Sequence, residues 1–370
     1  MTQESSVSSS ARLIAALRAP ACYPHPVTHI DVLETHISWV MLTGAYAYKL
    51  KKPVNLGFLD FTSLQARRHD CEEELRLNRR YAPALYLGVV AITGSAQAPR
   101  IGGDGPAIEY AVQMREFPQQ ALASRLLAGG SLTGTQIDAF AARLCAIHAQ
   151  AAVAARGSPH GTAEAVIAAA RANFSALNPL LRAAADQALL AELEDYTERD
   201  YQAKRAWFGA RHATGHVREC HGDLHLANIV LIDGELTPFD CIEFNPALRW
   251  IDVINEVAFT AMDLMDRGRD DLAYRFLNTY LEHSGDYRGL DALRFYLVYR
   301  AMVRAKVHAL RAMQAGLPAA QRARLLDASR GYLALARRCA GAARPAIVLM
   351  HGYSGSGKSV LARALAEDLC

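Results

Sequence analysis

Apolar and polar residues alternate over 35–42, with Ile37, Trp39 and Met41 on one side and His36, Ser38 and Val40 on the other. A period of two marks a half-buried strand. Thr43-Gly44 supplies a turn, and 45–51 returns as the partner strand with Ala47, Lys49 and Lys51 on one face. Ahead of this pair, 11–18 reads as a short amphipathic helix behind a polar, Ser-rich, frayed start. Over 62–81 the period becomes helical. Two further strands are expected at 87–93 and 108–117, with 94–105 as a loop. Past Pro118 come Ala-rich helices at 135–155, 161–176 and 183–210. Thr135 opens the first, with Asp138 three residues on as a variant capping box. Asp233-Gly234 then turns a hairpin, Trp250-Ile251-Asp252 opens another helix, and helices at 291–312 and 318–340 close the series. The pattern predicts a frayed start and helix (1–20), a small β-rich lobe (21–117) and a large helical lobe (118–342), hence an α+β, bilobal fold.

Composition narrows the function classes. The chain has 370 residues, 51% hydrophobic and 21% charged, which is ample for two cores and too apolar for global disorder. Forty basic against thirty-seven acidic residues give a net charge of +3, with no dense basic run of the kind that binds nucleic acid. Seven scattered cysteines without a Cys-x-x-Cys pair predict reduced thiols in a cytoplasm. No window reads as a membrane span.

The chemistry concentrates in Cys220-His221-Gly222-Asp223-Leu224-His225-Leu226-Ala227-Asn228, followed by Phe239-Asp240. One carboxylate, a carboxamide five residues on and a second carboxylate beyond a hairpin make the set that phosphoryl transfer uses: Asp223 to accept the hydroxyl proton, Asn228 and Asp240 to hold magnesium. The spacing His-x-Asp-Leu-x-x-x-Asn is that of a kinase catalytic loop, with Gly222 where protein kinases carry Arg. Such chemistry needs a strand lysine for the nucleotide phosphates, and Ala47-Tyr48-Lys49 supplies Lys49, with Lys51 as the alternative. Lysines on a strand are otherwise most often a solvated edge. The helix glutamate that fixes the lysine is Glu74, which shares a face with Leu77 and Tyr81, and Glu73 is its substitute. Met114, Arg115, Glu116 and Phe117 stand in chain order where backbone groups meet an adenine. His148 reads as a packed histidine, and Asp252 as a support for the catalytic loop.

A second phosphate motif closes the chain. Ala346-Ile347-Val348-Leu349-Met350 reads as a buried strand leading into Gly352-Tyr353-Ser354-Gly355-Ser356-Gly357-Lys358-Ser359, and Leu361, Leu365 and Leu369 follow at helical spacing. Strand, glycine loop and helix are the context of a P-loop. Gly352, Gly355 and Gly357 let backbone N–H groups close on phosphates, Lys358 reaches the β/γ oxygens, and Ser359 ligates magnesium. Residues 346–370 are expected to begin an α/β P-loop domain that breaks off one helix in, as in a fragment of a longer protein.

The segment from Thr35 to about residue 310 resembles the aminoglycoside phosphotransferase family. The carriers are His-Gly-Asp-Leu-His-x-x-Asn with Phe-Asp, and, closer still, Ala-Tyr-Lys-Leu-Lys-Lys-Pro-Val, Glu-Glu-Glu-Leu-Arg-Leu-Asn-Arg-Arg and Phe-Asp-Cys-Ile-Glu-Phe-Asn. The last three are similar to a bacterial two-domain group that couples such a domain to a C-terminal P-loop, kinase-like domain. The resemblance implies a protein-kinase-like fold, ATP and Mg²⁺ as cofactors, Asp223 as base, Asn228 and Asp240 as metal ligands and Lys49 as the phosphate lysine. It also implies a small-molecule hydroxyl as acceptor and the remaining P-loop domain as a partner in cis. The chain lacks the Gly-x-Gly-x-x-Gly of protein kinases. The alternative expectation is a nucleotide-sensing module that controls the P-loop domain.

Overall fold

Six strands form one antiparallel sheet: β1 (Asp31–Glu34), β2 (Ser38–Leu42), β3 (Tyr46–Lys51), β4 (Tyr86–Gly94), β5 (Pro99–Ile101) and β6 (Glu109–Arg115), in the order β1-β2-β3-β6-β4-β5. The coordinates are a computed structural model that describes residues 3–55, 57, 59–314, 316–341 and 348–368. The chain divides into two units. The first comprises 1–125, 230–232 and 237–246, and the second takes the remainder.

In the first unit the sheet is covered on both faces. Helix α1 (Gln3–Ala16) brings Leu13 and Ile14, with Leu17 just beyond, against Met41, Tyr48, Leu50 and Ile92. Helix α2 (Leu64–Asn78), capped by the Ser63 hydroxyl, lies on the opposite face, where Cys71 meets Ala47, Tyr86, Val112 and Met114. Double coverage explains why the alternation over 35–42 is blunted: Val40 and Leu42 pack on the α2 side while Met41 is fully buried on the other. β3 is central, paired to β2 and β6, so Lys49 and Lys51 do not sit on a solvated edge. Two expectations change. The serine-rich start is helical from Gln3, since serine costs a helix only a few tenths of a kcal/mol. The 94–105 loop contains β5, which closes on β4 through Gly94↔Pro99 to Ile92↔Ile101.

The second unit is helical: α4 (Gly134–Gln150), α5 (Ala163–Leu177), α6 (Ala184–Ala213), α8 (Val253–Asp266), α9 (Asp270–Ser284), α10 (Leu293–Ala312), α11 (Ala319–Ala340) and α12 (Lys358–Asp368). The short α3 (Ala123–Ala128) and α7 (Pro246–Arg249) complete the numbering. The capping box of α4 is Thr133 with Gln136, not Thr135 with Asp138; the Asp138 carboxylate instead meets Arg275 and Thr279. Trp250–Asp252 does not open a helix. It forms β10, antiparallel to β7 (Val217–Glu219), and Asp252 then caps α8 through the Ile254 N–H. Its bulky Trp-Ile pair suits a strand better than a first helical turn.

The hairpin β8 (Ile229–Ile232) and β9 (Glu235–Pro238) turns at Asp233-Gly234 with both φ positive, 50° and 84°, as a two-residue I′ turn requires. Of the strand expected at 346–350, Ala346 and Ile347 lie outside the described residues, and Val348, Leu349 and Met350 carry no strand. Leu349 is 86% exposed, so the run is not the buried strand its composition suggested; no neighbouring strand pairs with it among the described residues.

Candidate active site

The expected residues fall into two groups, one in each unit. In the first unit, pleating aims Lys49 and Lys51 at the same face, and α2 delivers Glu74, which is wholly buried, to both. Lys49 Nζ donates to Glu74 Oε1 at 2.8 Å and to Asp240, while Lys51 Nζ donates to Glu74 Oε2 and to Glu243. The choice between the two lysines therefore does not arise, since Glu74 receives one with each oxygen. Glu73 is turned outward to Arg76. Burial works against the Lys49 ammonium, yet Asp240, Glu74 and Glu243 outweigh it and raise its pKa well above the ordinary value.

Asp240 is held from several sides. Its backbone is left-handed at φ 65°, a conformation an aspartate tolerates better than most residues. Its N–H donates to the Tyr86 hydroxyl at 3.0 Å, and the next N–H, that of Cys241, donates to Asn78 Oδ1 at 2.9 Å. Asn78 is one turn beyond Glu74 and donates back to the Glu74 carbonyl. Two ammonium groups thus face three carboxylates, and of those three Asp240 keeps an exposed side chain, at 43%. A hard divalent cation fits the oxygen of such a carboxylate.

Met114, Arg115, Glu116 and Phe117 close β6. The N–H of Arg115 donates to Leu85 O and that of Glu116 to Ala45 O, so neither is open to an adenine edge. The Glu116 carboxylate accepts from Gly44 N and pairs with His29, and the Phe117 ring stands edge-on to Phe239 at 5.1 Å. Glu116 thus ties the end of β6 to the β2–β3 turn.

In the second unit the loop from Cys220 to Asn228 rests on α8, a helix buried on every side from Val253 to Met265. Glu256, Thr260 and Asp263 form one stripe on it, and each takes a backbone group of the loop. Glu256 accepts from His221 N (3.0 Å) and Gly222 N (2.7 Å), Thr260 donates to Leu224 O (2.8 Å), and Asp263 accepts from Leu226 N (2.8 Å). Arg300, packed over Phe259, donates to Gly222 O. The support expected of Asp252 belongs to Glu256; Asp252 is occupied by Arg211, a bidentate partner. A buried helix carrying Glu, Thr and Asp at i, i+4 and i+7 was the available signal, since polar residues there require partners. His148 bonds Glu256 at 2.9 Å and Tyr280 at 2.8 Å. Together with Cys220 and Glu256 it brings three ligand atoms within 4.8 Å of one another, but both of its ring nitrogens are already engaged.

At the loop's centre Asp223 is partly exposed, and Asn228 Nδ2 donates to its carbonyl and to its Oδ2, each at 3.0 Å. His225 Nε2 lies 3.4 Å from the same Oδ2. Burial pushes the Asp223 pKa up, but His225, then Arg304 and His221, more than offset this and hold the carboxyl well below the usual range. Because the Asn228 amide nitrogen faces Asp223, its Oδ1 is the atom chemically able to ligate a cation. In the C-terminal segment, Lys358 Nζ curls onto the carbonyls of Gly352 and Tyr353, and Gly355 and Gly357 have positive φ.

Three curated mycobacterial proteins align along most of the chain. The uncharacterized protein Rv2004c of Mycobacterium tuberculosis (strain H37Rv) and the uncharacterized protein Mb2027c of Mycobacterium bovis are each 36% identical over 350 residues, covering 94% of this chain and 67% of theirs. The chain belongs to their family. No protein-family model matches it. Among solved structures, the amicoumacin kinase hAmiN in complex with AMP-PNP, Ca²⁺ and Ami superposes with a TM-score of 0.54 at 12% identity, over 90% of this chain and 96% of that one. A thermostable mutant of aminoglycoside phosphotransferase APH(4)-Ia gives 0.50 at 14% identity, over 85% and 96%. The fold is therefore the α+β, kinase-like fold of the aminoglycoside phosphotransferases.

Proposed function

We propose that this family member is an ATP- and Mg²⁺-dependent phosphotransferase that moves the γ-phosphoryl group to a hydroxyl of a small molecule. The observation that carries the reading is Lys49, a lysine on a central strand joined at once to the helix carboxylate Glu74 and to Asp240. A solvated or merely structural lysine has no need of that pairing, whereas phosphoryl transfer uses it to hold the phosphates. Asn228 and Asp240 offer the oxygens for magnesium, which when bound neutralises charge on the phosphates. Asp223 takes the acceptor hydroxyl: the O–H proton passes to its carboxylate as the new O–P bond forms and the bond to the departing ADP breaks. Its depressed pKa keeps it ionised and able to orient that hydroxyl. The loose transition state of phosphoryl transfer asks for orientation more than for a strong base. The ligands in the hAmiN complex, a nucleotide analogue and a divalent cation, support this reading. The Gly352–Ser359 loop is proposed as a second phosphate site, belonging to a P-loop domain in cis.

Asp223→Asn tests the assignment. Turnover of [γ-³²P]ATP onto a panel of hydroxylated metabolites should fall by about 10²–10⁴-fold, the usual worth of a positioned proton acceptor, while nucleotide binding persists. Retention of wild-type turnover by Asp223→Asn would remove Asp223 from the mechanism.

A further inference from the structure

The phosphotransferase reading uses one strand lysine, yet the first unit buries two. Lys51 is 1% exposed and Glu243 is 5% exposed, and the Lys51 ammonium, packed over the Phe61 ring, joins Glu74 and Glu243. Burying an ammonium and a carboxylate is costly, so a pair this deep needs a reason beyond stability. Position supplies one. Glu243 lies three residues after Asp240, on the segment that also carries the Cys241 N–H bond to Asn78. Lys51 lies two residues after Lys49, on the strand that carries the phosphate lysine. The Lys51 ammonium therefore joins three elements at one atom: β3 through its own backbone, α2 through Glu74, and the 240–243 segment through Glu243.

We propose that Lys51 and Glu243 are positioning residues that hold Asp240 ready for its metal and keep Glu74 in place when Lys49 turns to the phosphates. Glu74 shares its two oxygens between the lysines. When Lys49 engages a nucleotide, Oε2 keeps Lys51, and the wholly buried carboxylate is never left unpaired. The Asp240 side chain is half-exposed and is paired with Lys49, the same ammonium that turns to the phosphates. Glu243 provides the anchor one short step down the chain. The kinase pairing of one lysine with one glutamate is here a pairing of two lysines with Glu74, and the second lysine also secures the metal-binding segment.

The inference rests on the phosphotransferase reading, and the experiment separates the two. Mn²⁺ binding is measured by EPR with and without AMP-PNP, so no acceptor or turnover is required. Glu243→Ala keeps the Lys51–Glu74 pair and releases only the segment. Manganese affinity in the presence of nucleotide should fall about tenfold or more, the common cost of removing a residue that orients a metal ligand. Glu243→Gln retains an oxygen for Lys51 and should stay within about threefold of wild type. Lys51→Met/Glu243→Met removes one charge of each sign, so the network keeps its net charge while Glu74 stays paired to Lys49 through Oε1; its metal affinity should fall as in Glu243→Ala. Wild-type affinity in Glu243→Ala and in the double variant would overturn the positioning role, as would an equal loss in Glu243→Gln and Glu243→Ala. Failure of the wild-type protein to bind Mn²⁺ with nucleotide would overturn the phosphotransferase reading itself, and this inference with it.

Discussion

A buried carboxylate is tolerated when its oxygens are filled, and Glu256 fills them with two loop N–H groups and His148. Burial pushes its pKa up, but His148 and His221, together with the His221 N–H bond, outweigh it and bring the value from an ordinary 4.5 down to about 2. A carboxyl depressed on folding contributes stability that is complete above its unfolded pKa and is lost as pH falls through the folded one. Glu256 should therefore contribute about 3 kcal/mol at neutral pH, lost between pH 4.5 and 2. Urea denaturation across that window should show a steep acid limb in the wild type and a flatter one in Glu256→Gln. An unchanged limb in the variant would place the depressed carboxylate elsewhere. The same variant leaves one of the His221 and Gly222 N–H groups short of its acceptor, costing about 1–3 kcal/mol even at pH 7.

At the scale of elements, the strand-lysine hairpin, α2, β6 and the helices α4, α5, α6, α8, α10 and α11 were legible from period and stop signals, whereas α9 (Asp270–Ser284) was not read. What escaped was set by partners distant in sequence. β5 is three residues long and exists through pairing with β4. β10 sits where β7 can pair with it, Trp250 opposite Glu219 and Ile251 opposite Arg218, in a register no local pattern encodes. In the candidate site the types and spacing of Asp223, Asn228 and Asp240 were readable, as was the shared face of Lys49 and Lys51. The division of Glu74 between them and the Glu256-Thr260-Asp263 stripe were not, since both depend on what lies across the core. The cap of α4 offers a compact check on the same point. The Thr133 hydroxyl accepts from the Gln136 N–H and the Thr133 N–H donates back to Gln136 Oε1, while Thr135 is an exposed helical residue. Thr133→Ala should cost about 1 kcal/mol in chemical denaturation, and Thr135→Ala should lie within about 0.5 kcal/mol of wild type. The reverse order would restore the cap that the sequence pattern favoured.

For the whole molecule, the acceptor is the property least visible in composition. A net charge of +3 provides no acidic field that would gather a polycation such as an aminoglycoside, so the name of the fold is a poor guide to the substrate. No helix among the described residues is long and apolar enough to cross a membrane, and the family's mycobacterial members extend beyond the aligned region by a third of their length. Binding thermodynamics offers a route that does not require the substrate to be guessed. A ligand that binds only the native chain at a hundred times its Kd adds about 2.7 kcal/mol of stability. For units of this size that amounts to a rise in melting temperature of about 5–10 °C. Mg²⁺ with AMP-PNP should produce such a rise, and Mg²⁺ or AMP-PNP alone a smaller one, because in the proposed reaction metal and nucleotide bind as one species. A true acceptor should then add a second increment, and Asp223→Asn should keep that increment while losing turnover. If Mg²⁺–AMP-PNP at millimolar concentration leaves the melting temperature unchanged, the chain is not a nucleotide-dependent phosphotransferase. If hydroxylated ligands shift it equally in the presence and absence of nucleotide, they bind elsewhere than beside the transferring phosphate.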